Sequence, residues 1–300
     1  EVAWFDAFAM SKADLIAEID KVTVDANLDV AWVRDPQEPL CSQFDLMNRI
    51  FTYMNWARWY TLKARFAAWS GETRTVLDAL SRLERIQQFL IGEPNVLNQY
   101  AGLGVLGQRL NCIQTAVPIF SDESLAAFQS ELQSKPLVFQ ERTRRLLVIH
   151  YNSFEDSTEH MLENQPSDLL GGMQKVSKPI RRLWMKLERR SFLSYMNNAF
   201  QVLNDPTMTE TQRFERLDGR DAIRRLNREV RMPLCRLEMG QIIFSRLASL
   251  VDQERTAVAG LAVERYRRRH GVLPKTLDDL VPEFLDAVPV SCYDGQPLDF

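Results

Sequence analysis

The segment between residues 150 and 163 holds the densest set of side chains that can bind a metal ion. Its members are His150, Glu155, Asp156, Glu159, His160 and Glu163. Glu159 and Glu163 would share one helix face, and His160 lies three residues before Glu163. The HExxH spacing that places two imidazoles on one zinc ion is absent. We interpret the segment as a solvated acidic stretch and predict no cofactor, and we keep a metal site at His150, Glu159, His160 and Glu163 as the alternative.

Nucleophilic catalysis by a serine or cysteine would need one of three histidines, His150, His160 or His270. None of them lies beside a nucleophile motif such as GxSxG. Catalytic groups meet in space and not in sequence, so an enzyme or small-molecule binder with a cleft between helix layers stays as an alternative. We favour a non-catalytic protein and predict no catalytic or cofactor-binding residue.

The charge balance gives no general attraction to nucleic acid. Lysine and arginine number 37 against 40 aspartate and glutamate residues, for a formal net charge of −3. Basic clusters at 142–145, 178–190, 220–228 and 265–269 alternate with acidic or apolar residues, as on a solvated helix face. The last cluster lies in a final helical turn, where cations interact favourably with the helix dipole. We therefore expect a protein partner and no nucleic acid.

The glycines and cysteines indicate packing and not a binding site. Gly102, Gly104 and Gly107 lie close together, but no strand precedes them as a phosphate-binding loop requires, so they predict a close helix crossing. The four cysteines are Cys41, Cys112, Cys235 and Cys292. Their wide separation, without a CxxC pair, predicts buried thiols, with one long-range disulfide as the alternative.

Composition and periodicity predict an all-α chain. Hydrophobic residues make up 45% of the sequence, glycine and proline number only 12 and 13, and the apolar residues recur at spacings of three and four. The architecture expected is an irregular multi-helix bundle or an α-solenoid of antiparallel helix pairs. The predicted helices span 11–21, 43–70, 73–91, 121–133, 137–154, 176–203, 209–216, 220–228 and 233–270.

Three regions are expected along the chain, although they can form one continuous domain. They are an N-terminal helical region (1–154), a C-terminal helical region that ends in a long helix (176–270) and a fold-back tail (271–300). Polar residues from 155 to 175 predict the longest irregular connection.

The helix at 43–70 is predicted to be central because apolar residues cover two of its faces. One face carries Leu46, Ile50, Tyr53, Ala57, Tyr60 and Ala64, and the other carries Trp56, Trp59, Leu62, Phe66 and Trp69. We expect burial on both sides, with Trp59 and Phe66 enclosed. Gly71 suits a left-handed C-terminal cap, Thr73 is expected to cap the next helix, and Ser121 with Asp122 is expected to cap the helix at 121–133.

The stretch YRRRHGVLPKTLDDLVPEFL, from Tyr266, predicts a helix stop followed by a fold-back. Gly271 can take the left-handed conformation, and Pro274 prevents the helix from resuming. Thr276 is expected to cap a short helix, with Leu280 on its buried side. Turns are expected at Pro289 and Gly295, before what looks like the start of an uncompleted strand at 297–300.

Residues 262–300 resemble a tail shared by uncharacterised, extracytoplasmic helical proteins of bacteria, and are similar to the C-terminal part of type II secretion major pseudopilins. The matching residues are Tyr266, Gly271, Pro274, Leu277, Leu280, Val281, Pro282, Pro289, Gly295 and Pro297. The helical body from 62 to 133 resembles the same uncharacterised group less specifically.

This resemblance implies a location more than an activity. It implies an extracytoplasmic or periplasmic scaffold or interaction protein, anchored in some relatives by a segment that would lie upstream of Glu1. A membrane-tethered accessory of a secretion or pilus-like system is a further alternative. Ser291 and Cys292 stand where the tail pattern usually has Asp and Pro, and Asp294 and Asp299 alone are too few ligands for the calcium that pseudopilins bind.

Overall fold

The computed structural model describes residues 43–93, 95–163, 178–218 and 238–298, together with four isolated positions near the N-terminus. Within these residues the fold is an all-α, multi-helix bundle, which confirms the predicted fold class. The helices are α1 (Gln43–Ser70), α2 (Thr73–Gly92), α3 (Val96–Ala116), α4 (Asp122–Ser134), α5 (Phe139–Glu163), α6 (Lys178–Asn204), α7 (Glu210–Asp218) and α8 (Glu238–His270). Short 3-10 helices span Val117–Ile119 and Leu277–Leu280.

The chain divides into two compact units. Unit 1 comprises residues 1–136, 253–288 and 299–300, and unit 2 comprises residues 137–252 and 289–298. Other expectations from the sequence fall outside the described residues: most of the predicted 11–21 helix, the whole 220–228 helix, Cys41 and Cys235. Met10, Asp14, Ala17 and Lys21 are helical and exposed.

The core of unit 1 is formed by α1, α2 and α3, which pack against one another. The absence of a side chain at Gly102 allows α2 and α3 to approach closely. A Cβ atom at this position would lie 2.8 Å from Cγ1 of Ile91. The close crossing predicted from the glycines is therefore present at Gly102. Cys112, which also lies on α3, is a buried free cysteine. Burial raises the pKa of its thiol to about 11.

An arginine on α3 connects the three helices α2, α3 and α4. Arg109 is buried, and its Nη2 lies 3.5 Å from Oε2 of Glu84 and 2.6 Å from Oε1 of Glu131. A buried guanidinium needs such partners because desolvation of an unpaired charge costs several kcal/mol, of order 3–5. Loss of either glutamate would therefore leave the buried charge of Arg109 with fewer partners.

The end of α8 and the first part of the tail, residues 271–288, belong to unit 1, and they show the predicted stop and fold-back. Gly271 has a φ of 76°, as its role at the helix end requires. Asp279 accepts hydrogen bonds from the backbone N–H groups of Lys275 and Thr276 at 2.7 and 3.2 Å. Leu280 is fully buried, so the 3-10 helix is held by both its cap and its apolar side.

Two side chains connect the tail region to the rest of unit 1. Arg268 donates to the carbonyl oxygens of Phe120 and Val117 at 2.5 and 3.2 Å, so it satisfies backbone acceptors at the end of the 117–119 helix. Gln129 on α4 is buried, donates to the carbonyl oxygen of Phe284 and accepts from Arg265 at 2.8 Å. The basic last turn of α8 therefore has structural partners.

Unit 2 contains α5, α6, α7 and the first part of α8. Phe139 and Phe214 make an edge-to-face contact with centroids 5.9 Å apart, and Phe214 contacts Tyr293 at 4.9 Å. The predicted end of a helix at Phe154 was wrong, because α5 continues to Glu163. The polar residues that suggested a connection are good or neutral helix formers, and glycine and proline come only later in the sequence.

The last described turn of the chain closes on itself. Val290 and Pro297 form an isolated antiparallel bridge, and Gly295 has a φ of 68° in the turn between them. Within the described residues this single bridge is all that forms at the predicted start of a strand, and positions 299 and 300 lie outside them. Asp252 on α8 holds this turn by accepting from Ser291 Oγ at 2.7 Å and from the backbone N–H of Cys292 at 2.6 Å.

The capping prediction at Thr73 was wrong, whereas those at Gly71 and Ser121 were confirmed, as was the one at Gly271 described above. Gly71 has a φ of 79°, and Ser121 accepts a hydrogen bond from the N–H of Ser124 at 3.1 Å. Thr73, however, is the first residue of α2, and its hydroxyl donates to the carbonyl oxygen of Ile119 at 3.2 Å. The hydroxyl of Thr73 therefore bonds to a carbonyl group distant in sequence, although the local sequence predicts that it caps α2.

Candidate functional site

Helix α1 buries one of its two apolar faces and leaves the other partly exposed. The inner face packs in the core of unit 1, where Tyr60 and Ala57 are inaccessible to solvent and Tyr53 lies 4.6 Å from Phe89, measured between ring centroids. Alanines on this face allow α2 and α3 to approach closely. The inner face thus fixes the direction in which the opposite side of the helix points.

The opposite side forms a continuous stripe, which we name the α1 outer face. Its centre consists of Phe51, Arg58, Leu62, Arg65 and Trp69, at spacings of seven, four, three and four residues. The relative exposures are 55% for Phe51, 45% for Leu62 and 68% for Trp69, and both arginines are exposed. The stripe is about 27 Å long, at 1.5 Å per residue.

The expectation that both sides of this helix are buried was wrong. Trp59 and Phe66, predicted to be enclosed, are half-buried along one edge of the α1 outer face. The Phe66 and Trp69 rings lie 6.4 Å apart between centroids. Truncating Trp59 or Phe66 should therefore cost less than removal of a fully enclosed aromatic side chain, which is worth about 3–5 kcal/mol.

The α1 outer face is cationic. The sequence contains no aspartate or glutamate between Leu46 and Gly71, and Arg58 makes a hydrogen bond to Oδ1 of Asn55 at 3.3 Å. The first two carboxylates that follow the helix in the sequence, Glu72 and Asp78, have other partners: Asp78 lies 3.7 Å from Nζ of Lys63 and 3.4 Å from Arg82. Glu72 accepts from the hydroxyl of Thr75 at 3.0 Å.

The predicted metal-ligand set does not come together among the described side chains. His150 is largely buried on α5, and its ring lies 5.9 Å from that of Phe192. Its Nδ1 is buried without a hydrogen-bond partner in the described part of the chain, and burial lowers the pKa of the imidazole to about 4. Glu155 forms an ion pair with Arg189 at 2.9 Å.

The remaining candidate ligands lie on the last turns of α5. The side chains of Glu159, His160 and Glu163 are outside the described residues, so the metal alternative is untested at those positions. Where side chains are described, no group of three histidine, cysteine or carboxylate residues could hold a metal ion. Asp294 in the tail accepts from the backbone N–H of Gln296 at 2.9 Å.

A shallow concavity lies along α6 and is lined by Pro179, Arg182, Leu183 and Lys186. These residues provide two cations and apolar surface, and His150 does not line it. General acid–base chemistry needs titratable groups that converge on one point in a pocket. The described lining provides no such pair.

Sequence reasoning missed Phe51, Arg58 and Arg65 as parts of a surface. The signal was present, because a helix that has no acidic residue after Asp45 and places two arginines in line with Phe51 and Trp69 has the composition of a recognition face. Comparisons with protein-family models, with curated proteins and with solved structures found no match. Among the helices that the structure describes, none is both long and apolar enough to cross a bilayer.

Proposed function

We propose that the protein is a non-catalytic interaction or scaffold protein that binds a protein partner through the α1 outer face. The observation that carries this proposal is the exposure of Phe51, Leu62 and Trp69 in line with Arg58 and Arg65 on one helix. Large apolar side chains that are exposed together on one face are a feature of interaction sites in soluble proteins. Tryptophan and arginine are the residues most enriched among those that dominate binding energy.

The packing of α1 also suits a recognition role. Its inner face is fixed in the core of unit 1 by residues such as Tyr60 and Ala57, so its outer side chains are presented on a rigid element and binding requires little ordering of the backbone. Preorganisation of this kind reduces the entropic cost of association. A partner therefore meets a fixed spacing of apolar and cationic groups.

The extracytoplasmic location is also a proposal. It is supported by the resemblance of residues 262–300 to the tails of extracytoplasmic bacterial proteins, and a tether upstream of Glu1 belongs to the same proposal. A fusion of the full-length precursor to alkaline phosphatase, which is active only outside the cytoplasm, tests it. An inactive fusion that is expressed at normal levels would contradict the location without affecting the proposed binding surface.

The binding proposal is tested with the double variant Phe51→Ser, Trp69→Ser. The immobilised wild-type chain is used to capture a partner from an extract of the native host, the partner is identified by mass spectrometry and purified, and its Kd is measured for both proteins. We expect at least tenfold weaker binding by the variant, because exposed aromatic anchors carry most of the binding energy of such faces.

A matched control is available in the same unit. Val272 and Leu273 are 60% and 57% exposed in the segment after α8, so Val272→Ser, Leu273→Ser removes similar apolar surface elsewhere. The control should bind the partner as the wild type does. Equal affinity of the partner for the wild type and for the Phe51→Ser, Trp69→Ser variant would refute the proposal.

A further inference from the structure

The α1 outer face has a charge pattern that discriminates between classes of partner. Arg58 and Arg65 are seven residues apart and therefore about 10.5 Å apart along the helix axis. Both lie in the middle of the stripe, between Phe51 and Trp69, and not along its edge. Any partner that covers the apolar side chains must also cover two guanidinium groups.

A second copy of this chain is a poor occupant of the face. Two copies facing each other would bring four guanidinium groups together without a carboxylate, because α1 has none between Leu46 and Gly71. Like charges that face each other across an interface are costly.

A lipid bilayer and a nucleic acid fit less well than a helix. Helices that lie in a membrane interface keep their arginines along the polar side, whereas insertion of Trp69 and Phe51 here would carry Arg58 and Arg65 into the apolar layer. Two cations along about 27 Å of surface would neutralise few phosphates of a nucleic acid. The net charge of −3 adds no attraction.

We propose that the occupant is an acidic amphipathic helix with two carboxylates seven residues apart. This inference rests on the proposed function and specifies its partner. The carboxylates pair with Arg58 and Arg65, which have the same spacing, and apolar residues of the partner pack between Phe51, Leu62 and Trp69. Recognition of an amphipathic helix by an apolar face with charged anchors is a recurrent binding mode.

The test uses two synthetic helical peptides with a fluorescent label. They have the same length and the same apolar residues, but one has glutamate and the other lysine at two positions seven residues apart. Each is titrated with the full chain and fluorescence anisotropy is recorded. We expect the glutamate peptide to bind about tenfold more tightly at low salt, because each site changes from repulsion to attraction, and we expect the preference to shrink in 0.5 M salt.

Charge reversal gives the decisive comparison. The variant Arg58→Glu, Arg65→Glu should prefer the lysine peptide, whereas a control with the same change in net charge, Arg74→Glu, Arg190→Glu, should keep the wild-type preference. Arg74 and Arg190 are exposed on α2 and α6. A reversal seen in both variants would show a general charge effect and overturn the inference.

Other outcomes separate this inference from the proposed function. If both peptides bind equally, or if neither binds while the host partner still needs Phe51 and Trp69, the partner chemistry is wrong and the proposed function remains. If phosphatidylglycerol vesicles or a single-stranded oligonucleotide bind in place of the glutamate peptide and lose affinity in the Arg58→Glu, Arg65→Glu variant, both proposals are overturned.

Discussion

His150 should make the stability of the protein depend on pH in a defined window. Burial lowers the pKa of the folded imidazole from 6.5 to about 4. A group whose pKa is lower in the folded state binds protons preferentially in the unfolded state as the pH falls. Its contribution is therefore fully present above about pH 6.5 and is lost progressively as the pH decreases towards 4.

The magnitude follows from the size of the shift. A difference of 2.5 pKa units corresponds to about 3 kcal/mol, at roughly 1.4 kcal/mol per unit. Urea unfolding followed by circular dichroism at pH 7.5, 6.5, 5.5 and 4.5 measures this loss. Burial also raises the pKa of Asp218, so the part of the dependence that belongs to His150 is read from its variant.

A substitution of His150 assigns the effect. His150→Leu places an apolar side chain of similar size next to Phe192 and should flatten the curve between pH 6.5 and 5. A His150→Leu protein with the wild-type pH dependence would refute the reasoning. Stabilisation of the wild type by added Zn²⁺, lost in His150→Leu, would instead support the metal alternative.

Three further variants test the packing of the fold by urea unfolding. Leu280→Ala should lower the free energy of unfolding by about 2–5 kcal/mol because the side chain is fully buried, and a loss below 1 kcal/mol would contradict the fold-back. Asp252→Asn should cost about 1.5–3 kcal/mol because two donors of the closing turn lose a charged acceptor; unchanged stability would argue against that turn. Trp69→Ser should change stability by less than about 0.5 kcal/mol, whereas Tyr60→Ser should cost about 3–5 kcal/mol; similar losses in both would mean that Trp69 is enclosed.

The elements that the sequence predicted correctly depend on neighbouring residues. The positive φ at Gly71 and Gly271 and the cap at Ser121 are determined within one helical turn, so local residue types are sufficient. The α-helical state of the long segments could also be predicted, because apolar residues at spacings of three and four continue through each long helix.

The features that could not be predicted depend on contacts distant in sequence. Thr73 donates to Ile119 in place of its own helix, and the tail closes through Asp252, about 40 positions before its partners. Helix periodicity also cannot show which of two apolar faces is buried. Trp69 and Tyr60 belong to equally apolar stripes, and only the packing of α2 and α3 on one side of α1 separates them.

The most direct test of the central claim is photo-crosslinking from the α1 outer face in the native host. A photoreactive amino acid is placed at Leu62, in the middle of the stripe, and at Leu273 as an exposed control. The account predicts that position 62 crosslinks to a protein partner, that Trp69→Ser abolishes this adduct and that position 273 does not form it. Equal crosslinking from both positions, or an adduct at position 62 that survives Trp69→Ser, would contradict the account.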